Sequence, residues 1–353
     1  MTPPEASTLT PTPASEPGEA DDPNRRSSVA PLSADVDGAD VGASEHLADR
    51  SVSVIIATRD RPQLLRRALA GVLAQRHDAP VEIVLVFDRS EPDHSLAELA
   101  TDKGHRVDVV ITTNQRTPGL AGARNSGIDI SSGAWIAFCD DDDEWLPGKL
   151  QAQFETLAAS PGCRAACTGI LIRYNGTDTA RMPNPDRVTF DGFLRDRMTE
   201  VHPSSWLVHR QTLVDRIGLV DEEIPGSYAE DYDLFLRTAR KTGIAVATQP
   251  LVRVWWHGAS FFFERWKMID EALGYLTEKY PEFGRHPDGL ARIRGQQAVA
   301  QAAMGDRTRA LRTIAATARL HPTEKRLPLA LAVAAGLKAE SALKLAHRFG
   351  KGI

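Results

Sequence analysis

The 353-residue chain is poor in cysteine, in long apolar runs and in excess charge of either sign. Its three cysteines, Cys139, Cys163 and Cys167, cannot all pair within one chain, which excludes a disulfide scaffold and suits a reducing cytoplasm. Cys163 and Cys167 have the spacing of half a metal site, but no second pair accompanies them. No stretch reaches the ~18 apolar residues that a membrane span needs. The nearest, "LPLALAVAAGL" towards the carboxyl end, is too short. The amino terminus offers no apolar signal core. A formal net charge of −5 gives no general reason to expect nucleic acid as a partner.

What is present divides into three segments. Residues 1–48 are rich in Pro, Ser, Thr, Asp and Glu, too polar to offset the entropy of ordering, and are expected to form a disordered tail. From Ser51 the pattern changes. "SVSVIIAT" is a buried strand, and "RDRPQLLRRALAGVLAQ" an amphipathic helix with Asp60 as its expected cap and Pro62 in its first turn. "VEIVLVFD" and "RVDVVITT" are further strands. "GLAGARNSGIDISSG" is a helix expected to end at Gly133, and "AWIAFCD" a fourth strand. Apolar strands alternating with helices imply an α/β fold, a parallel sheet covered by helices on both faces. Residues 49–264 are expected to form one domain, with halves at about 49–145 and 146–264. Residues 265–353, Ala- and Leu-rich and basic after residue 285, are expected to be a helical extension capping it.

The carboxyl ends of parallel strands are where ligands of such sheets sit. Thr58, Arg59, Asp60, Asp88 and Asp140 all fall there. The stretch "WIAFCDDDDEWLP" places four consecutive aspartates, Asp140 to Asp143, directly after a buried strand. Like charges this close repel, so the stretch calls for a compensating ligand. On a strand end, Asp140 and Asp142 would point one way and Asp141 and Asp143 the other. Two converging carboxylates make a hard oxygen site suited to Mg²⁺ or Mn²⁺. In "SYAEDYDLFLR", Glu230 and Asp231 open a helix, where acids also serve stability alone, and one of them can act as a general base. "RVWWHGAS" sets His257 beside Trp255 and Trp256: a metal or phosphate ligand and a sugar-stacking face, or equally a core aromatic cluster. "TPGLAGARNSG" supplies glycines and the cation Arg124 before a helix.

In this order the signals "SVIIATRDRPQLLRRAL", "EIVLVFDRS", "GLAGARNSGI", "WIAFCDDDDEWLPGKL", "AEDYDLFLR" and "VWWHGAS" resemble the inverting, nucleotide-sugar-dependent glycosyltransferases of family 2, which have the GT-A fold. The resemblance runs from Val52 to Ser260. It implies that Thr58 and its neighbours lie against the donor base and that Asp88 contacts the base or ribose. Arg124 and Asn125 would help hold the donor. Asp140 and Asp142 match the family's Asp-x-Asp motif, with Asp142 on the metal and Asp140 nearer the ribose. Asp231 matches the catalytic base, with Glu230 beside it, and His257 a histidine that closes over metal or diphosphate. Arg59 and Asp60 stand where the family usually has an aromatic residue and an asparagine, and Phe87 replaces an acid, so the donor base is left open.

The expected reaction is a single displacement. Asp231 takes the proton of an acceptor hydroxyl, the oxygen attacks the anomeric carbon opposite the departing nucleoside diphosphate, and the configuration inverts. The acceptor is expected to be a glycan, a lipid-linked sugar or a small molecule, in glycan, cell-envelope or glycoconjugate synthesis. Two other readings share the sequence features: a nucleotidyltransferase, although "ATRDRPQLL" lacks the glycines of a triphosphate loop, and a non-catalytic sugar-nucleotide or glycan-binding protein. The expected location is the cytoplasm, with peripheral contact of the basic carboxyl-terminal helices at the inner face of a membrane left open.

Overall fold

The computed structural model describes residues 45–100, 107–256 and 265–341. The expected amino-terminal tail therefore lies almost wholly outside the described residues, as does His257.

Among the described residues nine strands form one mixed sheet. Four apolar runs make its parallel part: β1 (Val52–Thr58), β2 (Val81–Phe87), β3 (Val107–Thr113) and β4 (Trp135–Phe138). The order β3-β2-β1-β4 puts the change of winding direction at β1. From β4 outward the expectation of a wholly parallel sheet fails. β8 (Leu207–His209) pairs antiparallel with both β4 and β6 (Cys163–Tyr174), and β6 pairs parallel with β9 (Gly243–Trp255). β7 (Thr177–Arg181) forms a hairpin with β6, and the two-residue β5 (Glu144–Trp145) pairs with β9.

The pleat of β1 shows why both faces must be covered. Val54 and Ile56 pack with Leu65, Leu69 and Leu73 of α1 (Pro62–Leu73) and Leu150 and Phe154 of α3 (Lys149–Ala158). Ile55, between them, faces the other way, towards Ala123 and Ile128 of α2 (Leu120–Ile130) and the larger core of α4 (Phe190–Arg195) and α6 (Glu230–Lys241). Asp60 does not cap α1. It adopts φ 55°, and Arg61 takes the cap position without a side-chain hydrogen bond, with Pro62 in the first turn as expected. α2 stops at Ile130, three residues before Gly133, because Ser131 is already extended. Between β8 and α6 the chain makes a short turn of helix, α5 (Arg210–Thr212), running into a π-turn at Leu213–Ile217, and then a 3-10 turn at Pro225–Ser227.

The carboxyl-terminal helices are α7 (Trp266–Lys279), α8 (Pro287–Ala303), α9 (Arg307–Leu320) and α10 (Leu327–Ala334). α8 belongs to two cores at once. Leu290 and Ile293 enter the main core, while Ala298, Val299 and Ala302 pack with Ile314, Leu327 and Val333 in a satellite cluster. Gly289 makes the approach to α4 possible, since a Cβ there would lie 1.8 Å from the Leu194 carbonyl. Among the described residues no helix is long and apolar enough to cross a membrane.

Candidate active site

A cavity of about 480 Å³ opens at the carboxyl ends of β1, β2 and β4, lined by Thr58, Asp88, Asp140 to Asp143, His202 and Trp255 among others. The strand before the aspartates ends at Phe138, so the quartet lies on a turn closed by the Asp143 amide donating to the Asp140 carbonyl at 3.1 Å. The pleat argument for their orientation therefore does not apply. Burial still alternates, for a different reason: each inner carboxylate has a donor waiting. Asp141 accepts from Thr58 Oγ1 at 2.7 Å and from Arg61 at 3.1 Å. Asp143 accepts from Ser204 Oγ at 2.5 Å, and the same hydroxyl accepts from the Asp140 amide. Asp140 and Asp142 stay partly exposed to the cavity. Arg61 also reaches Asp142 at 3.1 Å, and Arg67 fixes the Asp142 carbonyl at 2.8 Å.

These contacts do not neutralise the turn. Burial, with the charges of Asp142 and Asp140, pushes Asp141 up to about 6 despite Thr58 and Arg61. Burial and Asp140 raise Asp142, and burial with both neighbours raises Asp143 further. A divalent cation would reverse that balance. Atoms of Asp140, Asp143 and His202 lie within 4.8 Å of one another, a hard O,O,N set that fits Mg²⁺ or Mn²⁺. His202 Nδ1 is 3.3 Å from Asp143, and burial depresses its basicity, favouring the neutral imidazole a metal requires. The sequence reading named Asp142 and His257 beside Asp140. Among the described residues the geometry gathers Asp143 and His202 with Asp140, while Asp142 borders the same cavity under Arg61 and His257 lies outside the described residues.

Arg124 is buried on α2. It donates to Asp140 at 2.6 Å and to Glu230 across a short contact, joining the acidic turn to the start of α6. Burial, with Asp231 and Asp140 nearby, raises Glu230 to about 7 against the pull of Arg124. So Arg124 supports the site from behind. Asn125 does not fit the expected donor contact. Its amide exchanges hydrogen bonds with Val220 and reaches Glu222, which pins the loop before α6. That loop reaches α6 through Ser227 and Ala229, both at positive φ (58° and 66°), a strained approach that sets where Glu230 and Asp231 emerge.

Asp231 is held by both oxygens on Arg197, at 2.8 and 2.7 Å. Burial alone would raise it, but Arg197 brings it below the usual carboxylate range. Arg197 follows α4 and is followed by Met198 at φ 45°, buried to 1% exposure. Asp231, Asp140 and Asp142 all act electrostatically on His202, which ties the two acidic groups together. Asp88 accepts from Asn114 at 2.9 Å and from the Gly119 amide at 3.1 Å. These bonds and Arg89 outweigh its burial and keep it ionised. Gly119, at φ 126°, presents that amide in a backbone conformation only glycine adopts readily. Arg59 lines the cavity, whereas Asp60 is exposed and 3.7 Å from Arg59. Trp255 lies under Arg67 at 4.3 Å, and half-exposed Trp256 meets Tyr174 edge-on at 6.2 Å.

Sequence reasoning missed Arg61, Arg197, His202 and Ser204. "HPSS" carried the one available signal, a histidine and serines in a short turn, and nothing in it separates a ligand from a cap.

Comparison with known proteins bears on this arrangement. Residues 53–214 match the family model described as glycosyl transferase family 2. A relative from Escherichia coli, the UDP-Glc:alpha-D-GlcNAc-diphosphoundecaprenol beta-1,3-glucosyltransferase WfgD, is 25% identical over 197 residues, 56% of this chain and 73% of that protein. The succinoglycan biosynthesis protein ExoO of Rhizobium meliloti is 35% identical over 156 residues, 42% of each chain. Among solved structures, S. aureus TarS 1-349 in complex with UDP-GlcNAc superposes with a TM-score of 0.53 at 16% identity, covering 85% of this chain and 92% of that one, a likeness of fold. With the α/β architecture these matches decide for glycosyl transfer over the alternatives, and residues 53–214 form a glycosyl transferase family 2 region.

Proposed function

We propose that the protein moves a sugar from a nucleoside-diphosphate sugar to an acceptor hydroxyl, with inversion and with a divalent metal, in the assembly of a cell-envelope glycan. The observation that carries this reading is the meeting of an under-neutralised acidic turn with a separate, part-buried carboxylate, Asp231, around His202. Asp140, Asp143 and His202, with Asp142 alongside, would hold the ion. The ion would supply positive charge for the departing diphosphate. Thr58, Arg61 and Arg124 keep the aspartates in place. Asp88, ionised and fixed by Asn114 and Gly119, would accept from the base or ribose of the donor. Trp255 and Trp256 border the cavity and offer ring faces to a sugar. Asp231 would take the acceptor proton, acting by position, since Arg197 keeps its basicity low. Glu230, hydrogen-bonded to Arg124, would position its neighbour. The two relatives named for a lipid-diphosphate-linked acceptor and for succinoglycan synthesis support the cell-envelope setting.

A screen of nucleotide sugars by thermal shift, with and without Mn²⁺, tests the reading, because a ligand that binds only the folded chain raises its melting temperature. The expected result is a shift by one donor class that disappears in EDTA. Release of pyrophosphate rather than nucleoside diphosphate on turnover would overturn the reaction class.

A further inference from the structure

The turn that leads into α6, and so delivers Glu230 and Asp231, is strained. Gly226, Ser227 and Ala229 all have positive φ, at 61°, 58° and 66°, and two of the three are not glycine. Such a backbone is costly and persists only where its surroundings over-determine it. On one side α2 supports the turn: Ser227 Oγ accepts from the Ala121 amide at 3.2 Å. On the other side α7, the first helix of the carboxyl-terminal extension, holds it at three points. In the middle, Met268 lies so close to Gly226 that a Cβ there would be 2.0 Å from its Sδ. Before the turn, the Tyr275 hydroxyl and Lys279 Nζ donate to the same oxygen of Asp221, at 2.8 and 2.5 Å. After the turn, Lys279 Nζ lies 2.7 Å from Asp233 Oδ1, which also accepts from the Tyr280 hydroxyl at 2.7 Å. Asp233 is on α6, next but one to Asp231. Lys279 therefore ties together two carboxylates that flank the strained turn. The bridge is shielded from solvent: the Lys279 side chain is 21% exposed, Asp221 14% and Asp233 0%, so it is screened far less than a surface pair.

We propose that Lys279 is a positioning residue for glycosyl transfer: by bridging Asp221 and Asp233 it fixes the turn at residues 226–229, and with it the direction in which Asp231 meets the acceptor. The inference rests on the reading of Asp231 as the base. It makes the carboxyl-terminal extension part of the catalytic apparatus and not a cap laid over it. A base must stand within hydrogen-bond reach of the proton it takes, and a displacement of ~1 Å can cost about 10²-fold in rate. Asp88 and the acidic turn belong to other elements, so the bridge governs turnover and not donor binding.

The test uses the full chain. Hydrogen exchange of the ligand-free protein is followed by mass spectrometry in the wild type, Asp221→Asn, Lys279→Met and Lys279→Arg. Asp221→Asn loosens one end of the bridge and leaves Lys279 on Asp233, so it strands no buried charge. Should Lys279→Met not fold, Asp221→Asn carries the same comparison. Both variants should speed exchange across residues 222–231 by about tenfold or more, the loss of one charged hydrogen bond, while β1, β2 and β4 keep their protection. Lys279→Arg should restore most of it, since a guanidinium can also span two carboxylates. Release of nucleoside diphosphate is then measured with Mn²⁺, water standing in for the acceptor, from UDP-glucose or the nucleotide sugar that the thermal-shift screen selects. The kcat should fall roughly 10- to 100-fold in Lys279→Met, less in Asp221→Asn, and recover in Lys279→Arg, with the donor KM changed by less than about twofold. Unchanged exchange at residues 222–231, or protection lost evenly over the sheet, would overturn the proposal, as would faster exchange there with wild-type kcat. Asp231→Asn is measured beside them. Full turnover in that variant would sink the base reading, whereas its loss there with full turnover in Lys279→Met would sink only this proposal.

Discussion

The two sides of the catalytic region are charged in opposite senses. At the ends of β1, β2 and β4, four aspartates crowd onto one turn with Arg61 and Arg124 in contact, and the carboxyls of Asp141, Asp142 and Asp143 remain raised. On the flank of α6, Arg197 holds Asp231 by both oxygens, and the carboxyl there is lowered. The same residue type thus does two kinds of work. On the function proposed above, the crowded aspartates would be completed by a cation, whereas the isolated one is paired already with arginine and would act on a proton only when that grip loosens. The contrast arises from where the chain delivers the charges. The acidic turn is local, four successive residues, while Arg197 and Asp231 come from separate segments, the residues after α4 and the start of α6.

The strongest way to break this comparison is to remove the isolated carboxylate. Asp231→Asn should lower kcat by about 10²- to 10⁴-fold, the usual contribution of a general base, with donor binding unchanged by calorimetry. A variant that kept full turnover would show that the lowered carboxylate is only the counter-ion of Arg197. The acidic turn should behave in the reverse way. Losing an ion's ligand costs at least what losing an outer partner does, so Asp140→Asn and His202→Gln should weaken Mn²⁺ binding by roughly 10–100-fold or more. Asp142→Ala, compared with them, sorts the two ligand sets: a larger loss for Asp142 than for His202 would favour the set expected from sequence. A smaller effect sharpens the donor side. Asp88→Asn keeps the shape of the loop but loses the ionised acceptor, and should raise the donor KM about tenfold, one hydrogen bond to a charged group, with kcat little changed.

Much of the donor side was legible because it is local. The strand "SVSVIIAT", the helix after it and the quartet at residues 140–143 declare themselves through period and charge within a few residues. The second half resisted for a physical reason. β6, β8 and β9 pair across 40 to 80 residues of chain, and no pattern in "VHPSSWLVHR" says that the strand will run antiparallel to β4. Side chains that act through such pairings were invisible for the same reason. His202 reaches Asp143 because β8 returns beside β4, and Arg292 reaches Tyr232 because α8 packs on α4 through Gly289. Asn125 shows the converse. Its place in a recognisable motif suggested a ligand contact, but its amide matches the backbone of Val220, and the structure uses it there.

The smallest effect concerns a charge that neither side uses. Lys149, fully buried under the acidic turn, has Nζ 3.6 Å from the Trp145 ring centre and donates to Gln153 Oε1 at 3.0 Å. Burial lowers it from 10.5 to about 7, with no carboxylate in contact to oppose the shift. The folded value lies below the unfolded one, so between pH 7 and 10.5 the unfolded chain carries a proton that the folded chain has released. Stability from this group therefore rises with pH across that window and is flat below it, where both states are protonated. Lys149→Met keeps the apolar stem and removes the titration. Denaturant melts at pH 7 and pH 9.5 should show the wild type gaining on the variant at the higher pH. At pH 7 the variant should equal or exceed the wild type by about 1 kcal/mol, since a well-packed apolar side chain often replaces a buried charge without loss. A variant less stable at both values would mean that the ammonium, lying over Trp145 and bound to Gln153, holds the turn that presents Asp140 to Asp143, and the acidic side would then depend on a cation of its own.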